Sequence, residues 1–154
     1  MRVQVTTNKD RQKSHEGCPY FTAELTDRGR TIGTGSAIVD FSGSRVMVYR
    51  VDVDDTNRGS GLGLALMLAL LQRALKEGAV DTWFVHLVAD EEESPNIQNY
   101  YGRMGFMSDE GYGEVDRPGQ QHPMMGMMGP VITNIQMWLG LERYRQTVLN
   151  ISHV

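Results

Sequence analysis

The sequence predicts a mixed α/β fold, a mostly antiparallel sheet with one parallel β-α-β unit set into it. Three observations lead there. Residues 1–53 carry short runs in which apolar and polar side chains alternate, separated by glycine-bearing turns, the pattern of an antiparallel meander. Residues 61–77 are a long apolar stretch at helical spacing. Residues 82–88 return to β-branched and aromatic side chains, and the order strand, helix, strand implies a right-handed parallel crossover. With 154 residues the chain is expected to form a single domain, 1–154, with its own core.

Val3 and Val5 alternate with polar neighbours, so Met1–Thr7 reads as a first short strand. Asn8–Gly17 is polar and reads as a loop. Phe21, Ala23 and Leu25 alternate with Thr22, Glu24 and Thr26, a half-buried strand. Asp27-Arg28-Gly29-Arg30 is a hairpin turn, followed by a strand over Thr31–Asp40, a turn at Ser42-Gly43-Ser44, and a strand over Arg45–Val53. In that last strand Val46 and Val48 share one parity and Val51 and Val53 the other. A strand has a period of two, so one extra residue near Tyr49-Arg50, a β-bulge, would return all four valines to one face. Burial on both faces is the other explanation.

Gly61–Glu77 reads as a helix in which Leu64, Met67, Leu68, Leu71 and Leu75 form one apolar stripe widened by Leu66 and Leu70. Gln72, Arg73, Lys76 and Glu77 make its wetter face, and Gly78 is a natural stop. After the strand over Thr82–Val88, the acidic run Asp90-Glu91-Glu92-Glu93 leads into a short helix, Ser94–Met104. The Gly- and Pro-rich segment Met107–Gly129, with Met124-Met125-Gly126-Met127-Met128, reads as a loop. Val131–Leu139 reads as a last strand and Leu141–Leu149 as a terminal helix.

Composition narrows the function. The formal charge of −4 and pI near 5.5 give no electrostatic footprint for nucleic acid. The longest apolar run, Leu62–Leu71, is far below the ~20 residues of a membrane span, and Met1–Gly17 lacks a signal-peptide core. The single cysteine, Cys18, excludes an internal disulfide, and a cytoplasmic location is expected. No His, Asp or Glu spacing suggests a metal site.

The most informative stretch is Arg58-Gly59-Ser60-Gly61-Leu62-Gly63. Closely spaced glycines let backbone amides approach a ligand, and the helix start adds orphan N–H groups and a positive dipole end. The stretch is neither a P-loop nor a G-x-G-x-x-G fingerprint. It is R-x-x-G-x-G, filled by Arg58, Gly61 and Gly63. With Tyr101-Gly102-Arg103-Met104-Gly105-Phe106, a Y-x-x-x-G-F element further on, it resembles the GNAT superfamily of acyl-CoA-dependent N-acyltransferases over Arg45–Phe106.

That resemblance implies an acetyltransferase using acetyl-CoA, with the acyl-CoA site on the parallel β-α-β core. The amides of Gly59, Ser60, Gly61, Leu62 and Gly63 would take the pyrophosphate, and Arg58 would brace the loop or pair with a phosphate. The Val51 N–H would polarise the thioester carbonyl, and Val53 backbone groups would bond the pantetheine arm. Tyr101 would be the general acid. A Glu that some members carry on the bulged strand corresponds to Met47, which takes no proton, so Asp52, Asp54, His86 or a water are left as alternatives, Asp52 first. The acceptor amine, on a protein or a small molecule, is unspecified. Only Asn8–Gly17 stands where the family inserts acceptor-shaping helices, which suggests an open, macromolecule-sized acceptor side. A homodimer is compatible with this reading. So is a non-catalytic module of the same fold that binds CoA or a protein.

Overall fold

The computed structural model describes residues 1–42, 44–59, 61–79, 84–90, 97–102, 106–108, 121–126 and 150–154. The elements are β1 (Arg2–Thr7), α1 (Lys9–Ser14), β2 (Tyr20–Asp27), β3 (Arg30–Asp40), β4 (Arg45–Val53), a 3₁₀ turn (Asp55–Asn57), α2 (Leu62–Lys76), β5 (Phe84–Asp90), α3 (Ile97–Gly102), β6 (Met107–Ser108), β7 (Gln121–Gly126) and β8 (Asn150–His153). Among the described residues they make one sheet of eight strands, ordered β6-β7-β5-β4-β3-β2-β1-β8. The β4–β5 and β1–β8 pairs are parallel; the rest are antiparallel. The mixed fold and its parallel β-α-β unit are as the sequence predicts.

Alternation places the core. Val3, Val5, Phe21, Ala23, Leu25, Ala37, Val39, Val46, Val48, Val85 and Leu87 are all buried and belong to one cluster with the apolar residues of α2. α2 lies directly on β3 because two positions there have no side chain. A Cβ on Gly33 would stand 3.1 Å from Leu66 Cδ1, and one on Gly35 would stand 3.0 Å from Leu70 Cδ1. The turn between β2 and β3 is a two-residue loop with Arg28 and Gly29 both at positive φ, the twist that hairpins prefer. At its far end α2 stops at Gly78, φ +105°, where the amides of Gly78 and Ala79 bond back to the carbonyls of Leu75 and Ala74.

Several expectations need correction. Asn8–Gly17 is not wholly loop: the Asn8 side chain accepts the Arg11 amide at 3.0 Å and starts the short helix α1. Arg73 is not on a wet face. It is 6% exposed, and its guanidinium donates to the Val5 and Val154 carbonyls, Thr7 Oγ1 and Glu77 Oε1. Within the segment read as a loop, residues 107–108 and 121–126 are strands, because the outer edge of β5 offers unpaired backbone groups that β7 fills. The edge strand β8 was not anticipated; four residues are too short to show a period. The strand expected at 131–139 and the helix expected at 141–149 lie outside the described residues, as do residues 91–93 of the acidic run.

Candidate active site

The irregularity in β4 is a bulge. Ser36 pairs with Arg50 and Ala37 with Val48, so Tyr49 is the extra residue. Val46, Val48 and Val53 are buried, Val51 packs against the same core, and Tyr49 and Arg50 are exposed. The bulge falls where the parallel ladder ends. Among the described residues β4 pairs with β5 only from Arg45–Phe84 to Val48–Leu87. Beyond that point β5 continues to Asp90 paired with β7 alone, and β4 continues to Val53 paired with β3 alone.

The direction of the freed backbone groups follows from one hydrogen bond. The Asp54 amide donates to the Ile32 carbonyl at 2.9 Å, so it points toward β3. Backbone groups alternate sides along a strand. Val53 and Val51 therefore aim their N–H and C=O groups the other way, into the space between β4 and β5. Two fixed donors and two acceptors line an open strand edge there. The Val53 carbonyl already accepts Arg58 Nε at 2.9 Å and keeps a second lone pair.

Arg58 turns the chain from this edge into the glycine loop. Besides Val53 it reaches Asp55 Oδ1 at 3.1 Å and Asp52 Oδ1 at 3.5 Å. Its guanidinium thus braces the loop through three residues of the chain's own backbone and side chains. Asp52 also accepts Arg50 at 3.2 Å, so both its oxygens are engaged by arginines. Asp54 faces Arg30 at 3.6 Å.

At the loop, Gly59 and Gly61 have φ of +83° and +76°, a region in which a side chain is strained. Gly61 is the N-cap of α2 and makes no side-chain capping bond, so the first amides of α2 have no side-chain acceptor from that cap. A Cβ on Gly59 would meet nothing within 4 Å, which leaves room for a ligand against its backbone. Ser60 lies outside the described residues. A helix start with exposed glycine backbone and no side-chain cap is a place where an anion is stabilised.

Gly63 is glycine for a different reason. The Tyr100 hydroxyl occupies the space where its Cβ would be, with the Tyr100 Cζ next at 2.9 Å. α3 is thereby seated on the start of α2. Tyr101, its neighbour, is 6% exposed and packs edge-on against Tyr100 (5.2 Å) and Phe106 (5.9 Å). Tyr100 therefore touches the glycine loop. Gly63→Ala is expected to lower stability by about 1–3 kcal/mol through this overlap. Adding Tyr100→Phe should recover part of the loss, because the hydroxyl is the first atom met. Melting temperatures of the two single variants and the double variant test this, and simple additivity would contradict it.

The sheet face away from α2 carries the remaining chemistry. Tyr20, Ile38, Met47 and His86 are register partners in one row across β2, β3, β4 and β5. His86, 7% exposed, stands directly across from Met47. Among the described residues no group of three His, Cys, Asp or Glu side chains could hold a metal, and no helix is long and apolar enough to cross a membrane.

A parallel strand pair thus opens beside a glycine-bearing helix start that has no side-chain cap. A model of the acetyltransferase (GNAT) family matches residues 2–106, and the chain belongs to that family. Solved structures agree on the fold. An acyl-CoA N-acyltransferase from Klebsiella pneumoniae is 18% identical, with a TM-score of 0.59 over 73% of this chain and 72% of that one. An acyl-CoA N-acyltransferase from Pseudomonas aeruginosa is 25% identical, with a TM-score of 0.54 over 71% and 69%. A PaiA N-acetyltransferase from Thermoplasma acidophilum, solved with coenzyme A, is 17% identical, with a TM-score of 0.52 over 76% and 65%. No curated protein sequence matches.

Proposed function

We propose that this protein transfers an acetyl group from acetyl-CoA to an amine. The observation that carries the reading is the open β4 edge at Val51–Val53, which runs into the uncapped start of α2. A phosphate group at the loop and a thioester at the strand edge are then served by one continuous run of backbone, residues 51–63.

In this reading the amides of residues 59–63 hold the pyrophosphate, and Arg58, engaged by Val53, Asp52 and Asp55, keeps the loop in shape. Asp52, ion-paired with Arg58 and Arg50, serves through Arg58 and keeps lone pairs that make it the alternative to His86 as the base. The Val53 amide bonds the pantetheine arm as an added strand would. The Val51 amide donates to the thioester carbonyl oxygen, where negative charge develops as the amine attacks, and a donor fixed in a strand needs no reorganisation to do so. Tyr101 gives its hydroxyl proton to the departing thiolate. His86, across from Met47 on the face away from α2, takes the proton that the amine must lose. The acceptor, protein or small molecule, enters from that face, where α1 is the one helix that the described residues place between β1 and β2.

Isothermal titration with acetyl-CoA is the first test, and saturable binding is expected. An acid that must be protonated and a base that must not be give a bell-shaped pH dependence of kcat/KM. His86→Gln is expected to remove the rise on the acidic side and Tyr101→Phe the fall on the basic side, each with a loss of about 10²-fold or more in kcat. A variant that keeps both limbs would show that the replaced residue has no such role.

A further inference from the structure

Three aromatic rings meet on the face away from α2, beside the bulge. Tyr20 and Tyr49 are stacked, centroids 5.9 Å apart and planes 15° apart. His15, at the end of α1, leans over both, 5.3 Å from Tyr20 and 6.3 Å from Tyr49. Tyr20 is buried, and Tyr49 is 50% exposed. Neither packing nor the proposed chemistry explains why the one extra residue of the bulge is an aromatic ring turned to solvent.

The orientation of His15 is set by its backbone. Its Nδ1 lies 2.7 Å from the Arg11 carbonyl oxygen. A carbonyl oxygen only accepts, so Nδ1 carries a proton, and in the neutral ring the lone pair is on Nε2. Among the described residues the ring of His15 bonds on its Nδ1 side, to the Arg11 carbonyl and Ser14 Oγ. The Tyr49 phenol is kept protonated: burial first, then the neighbouring Tyr20, raises its pKa above the ordinary tyrosine value, with Asp40 and Cys18 acting in the same direction and Arg45 against. On the strand that carries Tyr49, Arg45 pairs with Asp40 at 2.9 Å and Arg50 with Asp52 at 3.2 Å. The cluster therefore offers an exposed, uncharged Tyr49 ring and, in the neutral form of His15, the Nε2 lone pair. That combination attracts a cation that can donate a hydrogen bond, through the ring quadrupole and Nε2 together.

We infer that His15, Tyr20 and Tyr49 form a binding site for a cationic nitrogen of the acceptor. The acetyltransferase reading supplies only the purpose of this site. The reacting amine has to reach the β4 edge at Val51, past the bulge, so the group held by the rings is a second one. The acceptor class is a molecule with two basic nitrogens, such as a diamine or a basic peptide segment.

The test uses the full chain without acetyl-CoA. The ring signals of His15, Tyr20 and Tyr49 are followed by NMR during titration with 1,5-diaminopentane, and separately with 1,5-pentanediol, in which both ends are neutral. Shifts in all three rings are expected, with about two- to fivefold tighter binding of the diamine, as one exposed cation–π contact implies. Tyr49→Phe should keep that preference and Tyr49→Leu should lose it. Both side chains are half-exposed replacements, and unchanged acetyl-CoA binding checks that each variant is folded. Equal affinity for the two probes, no ring shifts, or a preference that survives in Tyr49→Leu would overturn the inference. Absence of acetyl-CoA binding with the diamine preference intact would instead overturn the acetyltransferase reading and leave the site standing.

Discussion

Gly61→Glu is expected to weaken acetyl-CoA binding by at least about two orders of magnitude while leaving the fold in place. Two effects act on the fold in opposite directions. The residue sits at φ +76°, which costs an L-residue about 1–2 kcal/mol. A carboxylate at a helix N-terminus recovers about 0.3–1 kcal/mol from the dipole. The ligand sees no such compensation. The new carboxylate occupies the anion's place at the start of α2 and repels its phosphates, and a 100-fold loss corresponds to about 2.7 kcal/mol. Gly61→Ala separates the two contributions, since it keeps the backbone cost and adds no charge; it should retain most of the affinity. Titration calorimetry with acetyl-CoA and thermal melts on both variants read the two effects independently. Binding by Gly61→Glu within threefold of the unaltered protein would move the phosphate site away from this loop.

Arg73→Ala is expected to destabilise the fold by about 3–5 kcal/mol, the range for breaking a buried charged network. The side chain is buried on α2, and its donors satisfy the Val5 and Val154 carbonyls, Thr7 Oγ1 and Glu77. It also lies over the Phe21 ring at 6.0 Å. Removing it takes a donor from the Val154 oxygen and from the Val5 carbonyl, which keeps the Val154 amide at 2.8 Å, and opens a gap between α2 and the β1–β8 edge. Lysine should rescue little, because a single ammonium cannot reach in several directions as the guanidinium fork does. Urea unfolding of both variants measures this, and a change below about 1 kcal/mol would show that water replaces the guanidinium at no cost. The site is at the other end of α2, so acetyl-CoA affinity of the folded fraction should be little changed.

Arg73 also marks a limit of sequence reading. Its neighbours Gln72, Lys76 and Glu77 are polar, so periodicity assigns it to solvent. Its burial depends on β8, which arrives from the far end of the chain and pairs with β1. Tyr100 is similar: nothing local says that its hydroxyl fills the space left by Gly63. The sequence places His15 in a polar loop, although Asn8, a good N-cap residue, is the available sign of the short helix that ends at it.

The sequence by itself determined the meander, the helix α2 and the position of the glycine loop, and it narrowed β4 to a bulge or burial on both faces, which the pairing with β3 decided. Each is written in a local period or in residues with special backbone freedom, so a few neighbouring positions suffice to read it. Only the tertiary structure decided that β4 and β5 part after Val48 and Leu87, that the Val51 and Val53 amides face the opening, and that Arg58 is committed to Val53, Asp52 and Asp55. The tertiary structure likewise brought His15, Tyr20 and Tyr49 together. These are relations between backbone groups and side chains distant in the chain. Pairing, and not residue type, fixes which way an amide points, and local periodicity carries no record of the partner.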